Sequence, residues 1–281
     1  MSNFHKIGFM QGRLSSLVNG HIQAFPWDNW KDEFSLAEQI NIYLMEWTLD
    51  KERLYENPLL TKAGQEEILT LCQRYKIKIP SLTGDCFMQA PFWKSRSFER
   101  VALEHDFIKI IESCAAIGIT MVVLPLVDNG RLENINQENN LISFLQNQAI
   151  FLVKHNIKIL FESDYTPLEL ARFIDRLDPF LCGINYDIGN SAALGFKPQE
   201  EFLAYGSRIM NVHIKDRILG GTTVPLGKGN ANFNEIFSSL AKINYQGNLI
   251  LQTARAIDEN HANILSAYRD MTINWLQTYA A

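Results

Sequence analysis

The chain has 281 residues, 47% hydrophobic and 20% charged, and a formal net charge of −5. That length and composition point to a globular protein with a large core that needs no disulfide or metal staples. The mild acidic excess argues against nucleic acid as a partner, but leaves small anionic ligands open, since these need only a local cationic pocket.

The opening M-S-N-F-H-K-I-G-F-M has neither a basic head nor a long apolar stretch, so no secretory signal is expected. No run of 18 or more apolar residues follows, so no membrane span is expected. Short apolar runs then alternate with longer amphipathic stretches. Ile7–Met10, Tyr43–Thr48, Ile77–Leu82, Thr120–Leu126, Ile157–Glu162, Cys182–Asp187, Ile209–Ile214 and Asn248–Gln252 read as strands. Between them, helical periodicity covers Glu33–Ile40, Thr61–Arg74, Ser97–Ile117, Gln137–Lys154, Pro167–Leu177, Gln199–Tyr205, Asn232–Ile243 and Asp258–Tyr279. Eight strand–helix units of roughly 35 residues predict one α/β domain over residues 1–281, a single (β/α)8 TIM barrel. An open doubly wound sheet would want a glycine-rich phosphate loop after the first strand, and Gln11-Gly12-Arg13 is not one.

The four cysteines, Cys72, Cys86, Cys114 and Cys182, show no metal or redox spacing and read as buried thiols of a reducing, cytoplasmic compartment. Two loops are unusual. Residues 11–30 are rich in Gly, Asn and Trp, and residues 85–96 carry several large apolar side chains. Both follow strands and so belong to the C-terminal mouth, where barrel active sites are built. The apolar loop either closes over a ligand or packs locally. Trp47, Phe87 and Trp93 are candidates for an apolar wall against a substrate, or equally for core.

Polar residues at strand ends point into that mouth. The fifth, sixth and seventh strands end in Glu162, Asp187 and His213. Two carboxylates and an imidazole from consecutive strands suit Mn²⁺, Co²⁺, Mg²⁺ or Zn²⁺, one per chain. Such an ion acidifies a C–H next to a carbonyl, and a carboxylate can then take the proton. Lys215, Arg217 and Lys228, with Arg13 after the first strand, are cations suited to a phosphate or carboxylate. Glu46, at the second strand end, orients a hydroxyl or pairs with an arginine.

Several segments carry a resemblance. I-G-F-M-Q-G-R-L, E-W-T, F-E-S-D, Y-D-I-G-N, N-V-H-I-K-D-R and V-P-L-G-K-G-N-A-N-F occur in that order along the chain. Together they resemble the xylose-isomerase-like barrel superfamily and, within it, the sugar-phosphate isomerase/epimerase branch. The resemblance implies an isomerase of a sugar or sugar phosphate, working through an enediol with Glu162 as base. It implies metal ligands at Glu162, Asp187, His213 and Gln252, where the last stands in place of a family glutamate. Sugar contacts are implied near Asn190, Lys215 and Arg217, and assembly as a homodimer or homotetramer. Gln252 can ligate through its carbonyl oxygen but cannot take a proton. Epimerisation wants a base on each face of the substrate, whereas aldose–ketose isomerisation can run with one. Gln252 therefore favours a one-base isomerase, a sugar-acid dehydratase-type lyase, or a barrel that binds a sugar phosphate without turnover. A trinuclear zinc endonuclease on the same barrel would need more histidines at the mouth than the one, His213, that falls there.

Overall fold

The computed structural model describes residues 6–279; the first five and last two residues of the expected domain lie outside them. Eight parallel strands close into a barrel: β1 (Ile7–Met10), β2 (Leu44–Thr48), β3 (Lys78–Thr83), β4 (Met121–Leu126), β5 (Lys158–Ser163), β6 (Cys182–Asp187), β7 (Ile209–Ile214) and β8 (Asn248–Leu251). Each strand pairs with its predecessor, and β8 closes on β1 with Ile7 opposite Leu249 and Phe9 opposite Leu251. The barrel expected from the periodicity is the one observed. Buried on both faces, the strands read as near-continuous apolar runs rather than alternating ones.

The helices start where side chains cap them. Thr61 accepts from the Gly64 amide at 3.1 Å, Asn134 from Asn136 and Gln137, and Thr166 forms a capping box with Glu169. The stretch expected as one helix over 137–154 is two, Ile135–Asn147 and Ala149–His155. Gln148 leaves helical geometry between them, and no Gly or Pro marks that break in the sequence. The last helix begins at His261 rather than Asp258. A helix over Ile188–Leu194 escaped the periodicity because it is only seven residues long; Asp187 caps it by accepting from the Asn190 amide at 2.8 Å.

The segment 85–96 opens with a short helix, Asp85–Gln89; its Phe87, Phe92 and Trp93 turn inward, while Met88 stays half-buried at the cavity wall. Phe87 packs on Phe107 at 5.6 Å, Phe92 on Phe144 at 4.6 Å, and the Trp93 indole N–H donates to the Gly130 carbonyl at 3.1 Å. Burial of each such ring stabilises the fold by roughly 1.5–3 kcal/mol. Local packing therefore wins over closure on a ligand. Trp47, Phe87 and Trp93 are core rather than a substrate wall, and they are too buried to build a subunit interface. Trp93→Ala is expected to lower unfolding stability by about 3–5 kcal/mol in a urea titration, through the cavity and the lost hydrogen bond.

Candidate functional site

The barrel lumen carries a polar layer. Glu46 on β2 meets His213 and Asn211 on β7, across strands that are not neighbours in the sheet. Glu46 accepts from Ser81 at 2.7 Å, from Thr83, from Asn211 at 3.0 Å and from His213 Nε2 at 2.7 Å. It is fully buried and does not line the cavity above, so the expected role in substrate contact is not what the structure shows. Its place is beneath His213. Burial works against the Glu46 charge, but His213, Ser81 and Thr83 outweigh it and hold the carboxyl below its usual range. Burial likewise opposes charge on His213, yet Glu46 and Glu162 prevail and push the imidazole up to about 10.

With Nε2 given to Glu46, His213 turns Nδ1 towards the mouth. There it lies 3.2 Å from Glu162 Oε2 and 3.9 Å from Asp187 Oδ2. One ligand atom from each of Glu162, Asp187 and His213 lies within 4.8 Å of the others. The pairing of β6 with β7 sets Asp187 directly beside His213. Amides frame the group. Asn185 donates to Glu162 Oε2 at 2.8 Å, and Asn190 to Glu162 Oε1 at 2.6 Å. Lys215 reaches Asp187 at 3.1 Å, lying across Gly189, where a Cβ would stand 2.6 Å from the lysine chain.

Above this group opens a cavity of about 580 Å³. Glu162, Asn190, Lys215, Arg217, Arg13 and Gln252 all line it. The Asn190 amide is committed to Glu162, Lys215 and Arg217, so it holds other groups in place. Arg217 is tied to Asn190 and to the Gly221 carbonyl. Arg13 is buried, has no salt bridge among the described residues and leaves Nε without a partner. Burial and the nearby Arg255 charge pull its guanidinium down to about 9, so an incoming anion would relieve it. Arg255 itself clamps the carbonyls of Gly12, Ser15 and Ile22 rather than filling space near Gln252.

Lys228 does not take the place expected for an anion contact. It is exposed and does not line the cavity. The L-G-K-G turn instead wraps the buried Asp216 carboxylate, which accepts from the amides of Gly227, Gly229 and Ala231 at 2.9, 2.8 and 3.1 Å. Its glycines serve backbone approach: a Cβ on Gly229 would sit 2.2 Å from Asp216 Oδ1.

Gln252 follows β8, and its backbone amide continues the ladder to Ile214 at 3.1 Å. Its Nε2 donates to Gln23 Oε1 at 2.6 Å, and Gln23 Nε2 donates to Asp85 Oδ2 at 2.5 Å. The order of this chain has one direction. Arg13 Nη2, which can only donate, approaches Gln23 Oε1 at 3.3 Å, so that carbonyl is the acceptor for Gln252 Nε2 as well, and Gln252 Oε1 is left without a partner among the described residues. Gln252 lines the same cavity as Glu162, whose carboxylate belongs to the cluster with Asp187 and His213. The donor set of oxygens plus one imidazole fits a divalent cation.

Asp85 and Gln23 carried no assigned role in the sequence. Asp85 stood in view as a carboxylate just after a strand end. Gln23 gave no signal, because its loop has no periodicity. Burial raises the Asp85 carboxyl, Asp50 and Glu162 add to this, Gln23 and Arg13 oppose it, and the result is about 8. The folded pKa lies above the unfolded one, so the folded chain keeps a proton that the unfolded chain has released. Stability from this group is full below about pH 4 and is lost as pH rises towards about 8. Asp85→Asn is expected to melt with the native protein at acid pH and above it at mildly basic pH, in paired thermal scans.

Residues 34–273 match the family described as Xylose isomerase-like TIM barrel. The chain belongs to that family. SgbU of Haemophilus influenzae, provisionally named an L-ribulose-5-phosphate 3-epimerase, is 24% identical over 271 residues, 88% of each chain. An inosose dehydratase of Geobacillus kaustophilus is 29% identical over 137 residues, 40% of this chain and 44% of the relative; the match spans less than half of that enzyme. Among solved structures, a zinc-bound IOLI protein superposes with a TM-score of 0.74 at 16% identity over 98% of this chain and 99% of that one. D-allulose 3-epimerase from Methylomonas sp., solved with D-allulose, superposes at 0.72 with 17% identity over 96% of each chain. At such identities the structures establish the shared barrel. No helix among the described residues is long and apolar enough to cross a membrane.

Proposed function

We propose that this chain is a metal-dependent isomerase of a sugar or sugar phosphate, acting by proton abstraction next to a carbonyl with Glu162 as base. The observation that carries this reading is that one ligand atom from each of Glu162, Asp187 and His213 lies within 4.8 Å of the others, with Gln252, whose oxygen is unpaired among the described residues, lining the same cavity as Glu162. These four residues would hold the ion. When bound, it would polarise the substrate carbonyl and lower the barrier to enediol formation.

The rest is the work of the chain's own groups. Glu46 fixes the imidazole so that Nδ1 faces the mouth, the arrangement in which an outer carboxylate orients a ligating histidine. Asn185 and Asn190 hold the Glu162 carboxylate at both oxygens, so it meets the substrate in a set orientation. Arg13, Lys215 and Arg217 supply positive charge at the cavity wall, which suits a phosphorylated sugar. The kinship with a sugar-phosphate 3-epimerase and the D-allulose complex supports a sugar-type substrate.

The amide at Gln252 favours one carboxylate base over two. The partial matches to inosose dehydratases, together with that amide, support a second reading as a lyase that removes water from a polyol-type substrate.

Calorimetric titration of metal-stripped protein with Mn²⁺ tests the reading. The native chain is expected to bind one ion, and Gln252→Glu to bind on the order of tenfold tighter, about 1.4 kcal/mol. Glu162→Gln is expected to lose the ion and to slow turnover by about 10²–10⁴-fold. Binding by Gln252→Glu alone would instead indicate a disarmed site, and a dehydrated product the lyase.

A further inference from the structure

We propose that Asp85 is the second proton-transfer group of this cavity, serving the substrate's oxygens while Glu162 serves its carbon. The inference rests on the isomerase reading above and adds to it the group that Gln252 cannot provide.

An enediol route moves two kinds of proton. One leaves carbon and returns to the neighbouring carbon. The other must reach the carbonyl oxygen and later leave the adjacent hydroxyl. Glu162 is held at both oxygens by amides and sits beside the imidazole, where it suits the carbon-bound proton. Few other titratable groups border the cavity. His21 and Asp128 are exposed at the rim, and Asp164 is paired with Arg131. Asp85 differs from all of these. It is 5% exposed, borders the cavity and has no salt-bridge partner among the described residues. Its Oδ2 accepts one hydrogen bond, from Gln23, and its Oδ1 takes none from the described residues. One oxygen is therefore left for whatever enters.

The Gln23 amide spans the gap between Asp85 and Gln252. The carboxyl that can titrate thus stands one amide away from the amide that cannot. The charged groups facing Asp85 are Asp50 from the loop after β2, Glu162 from β5 and Arg13 from the loop after β1, with the buried Cys86 thiol next in chain. Burial and the two carboxylates keep Asp85 protonated at neutral pH, which is the state a donor to a carbonyl oxygen requires.

The steps balance. The Glu162 carboxylate takes the C–H proton, and that electron pair becomes the enediol C=C bond. The carbonyl π pair moves to oxygen, which takes the proton of Asp85 and leaves it a carboxylate. Asp85 then removes the proton of the adjacent hydroxyl, whose O–H pair becomes the new carbonyl. Glu162 returns its proton to the carbon that was the carbonyl. No oxidant is needed, and both acids regain their starting states.

The test uses the full chain, L-ribulose 5-phosphate and D-allulose as probe sugars, and Asp85→Asn, whose amide oxygen can still accept from Gln23. Infrared difference spectra at neutral pH are expected to show a protonated carboxyl in the native protein, with and without Mn²⁺, that the variant lacks. With Mn²⁺ bound, Asp85→Asn is expected to lower kcat by about 100-fold or more while KM and Mn²⁺ affinity stay within about threefold. The fall of native kcat at basic pH should vanish in the variant, and Asp85→Glu should recover part of the rate. A missing carboxyl band overturns the proposal, as does a variant that turns over at the native rate. A native protein inert on both sugars overturns the isomerase reading, and this inference with it.

Discussion

The pairing of Glu46 with His213 through the barrel lumen is the constraint on which the site depends. It joins β2 to β7 across the interior, where neither group meets water. A lone charge there would cost several kcal/mol, so each group needs the other. Ser81, Thr83 and Asn211 take up the remaining lone pairs of Glu46, which leaves the imidazole one orientation. From that orientation follow the direction of Nδ1 and its closeness to Glu162 and Asp187. A hydrophobic lumen of equal volume would fold as well or better, but it would not aim a nitrogen at the mouth.

A second constraint comes from the loop after β1. Buried Glu33 accepts from the amides of Gly12 and Leu14 and from the Ser15 hydroxyl, while Arg255 grips the carbonyls of the same loop. Burial pushes Glu33 up to about 7 despite those bonds. Held from both sides, the loop delivers Arg13 and Gln23 to the cavity. Gln23 then links the ends of β3 and β8, which are far apart in sequence and not adjacent in the barrel. The cavity is thus built from strand ends that the barrel presents and from one loop that buried Glu33 and half-buried Arg255 hold down.

The site carries a cost in stability of the kind functional sites carry. Among the described residues, Asp85 is buried without a cation partner, Arg13 without a carboxylate partner, and Gln252 with an unpaired oxygen. Natural cores avoid such groups unless a ligand or a reaction uses them. Three buried carboxylates outside the cavity are satisfied: Asp216 by three backbone amides, Glu201 by three hydroxyls, Glu138 by Arg172 and Arg176. Asp85 stands apart from these carboxylates in having one protein donor, Gln23, among the described residues.

The sequence by itself determined the barrel, its strand order and the three consecutive strand ends Glu162, Asp187 and His213. Those properties follow from periodicity and from the rule that the C-terminal strand ends of a barrel frame its mouth. It also marked Gln252, because β8 runs straight into it. The sequence alone could not separate Glu46 from a substrate contact or Lys228 from an anion site. Both are charged residues near strand ends, and only side-chain contacts distinguish a buried brace or a solvated turn from a cavity wall. Nor could it place Phe87 and Trp93, since an apolar loop reads the same whether it covers a ligand or a helix. The link from Gln252 through Gln23 to Asp85 was decided by the tertiary structure, because it joins three loops whose meeting depends on barrel closure and not on any local pattern.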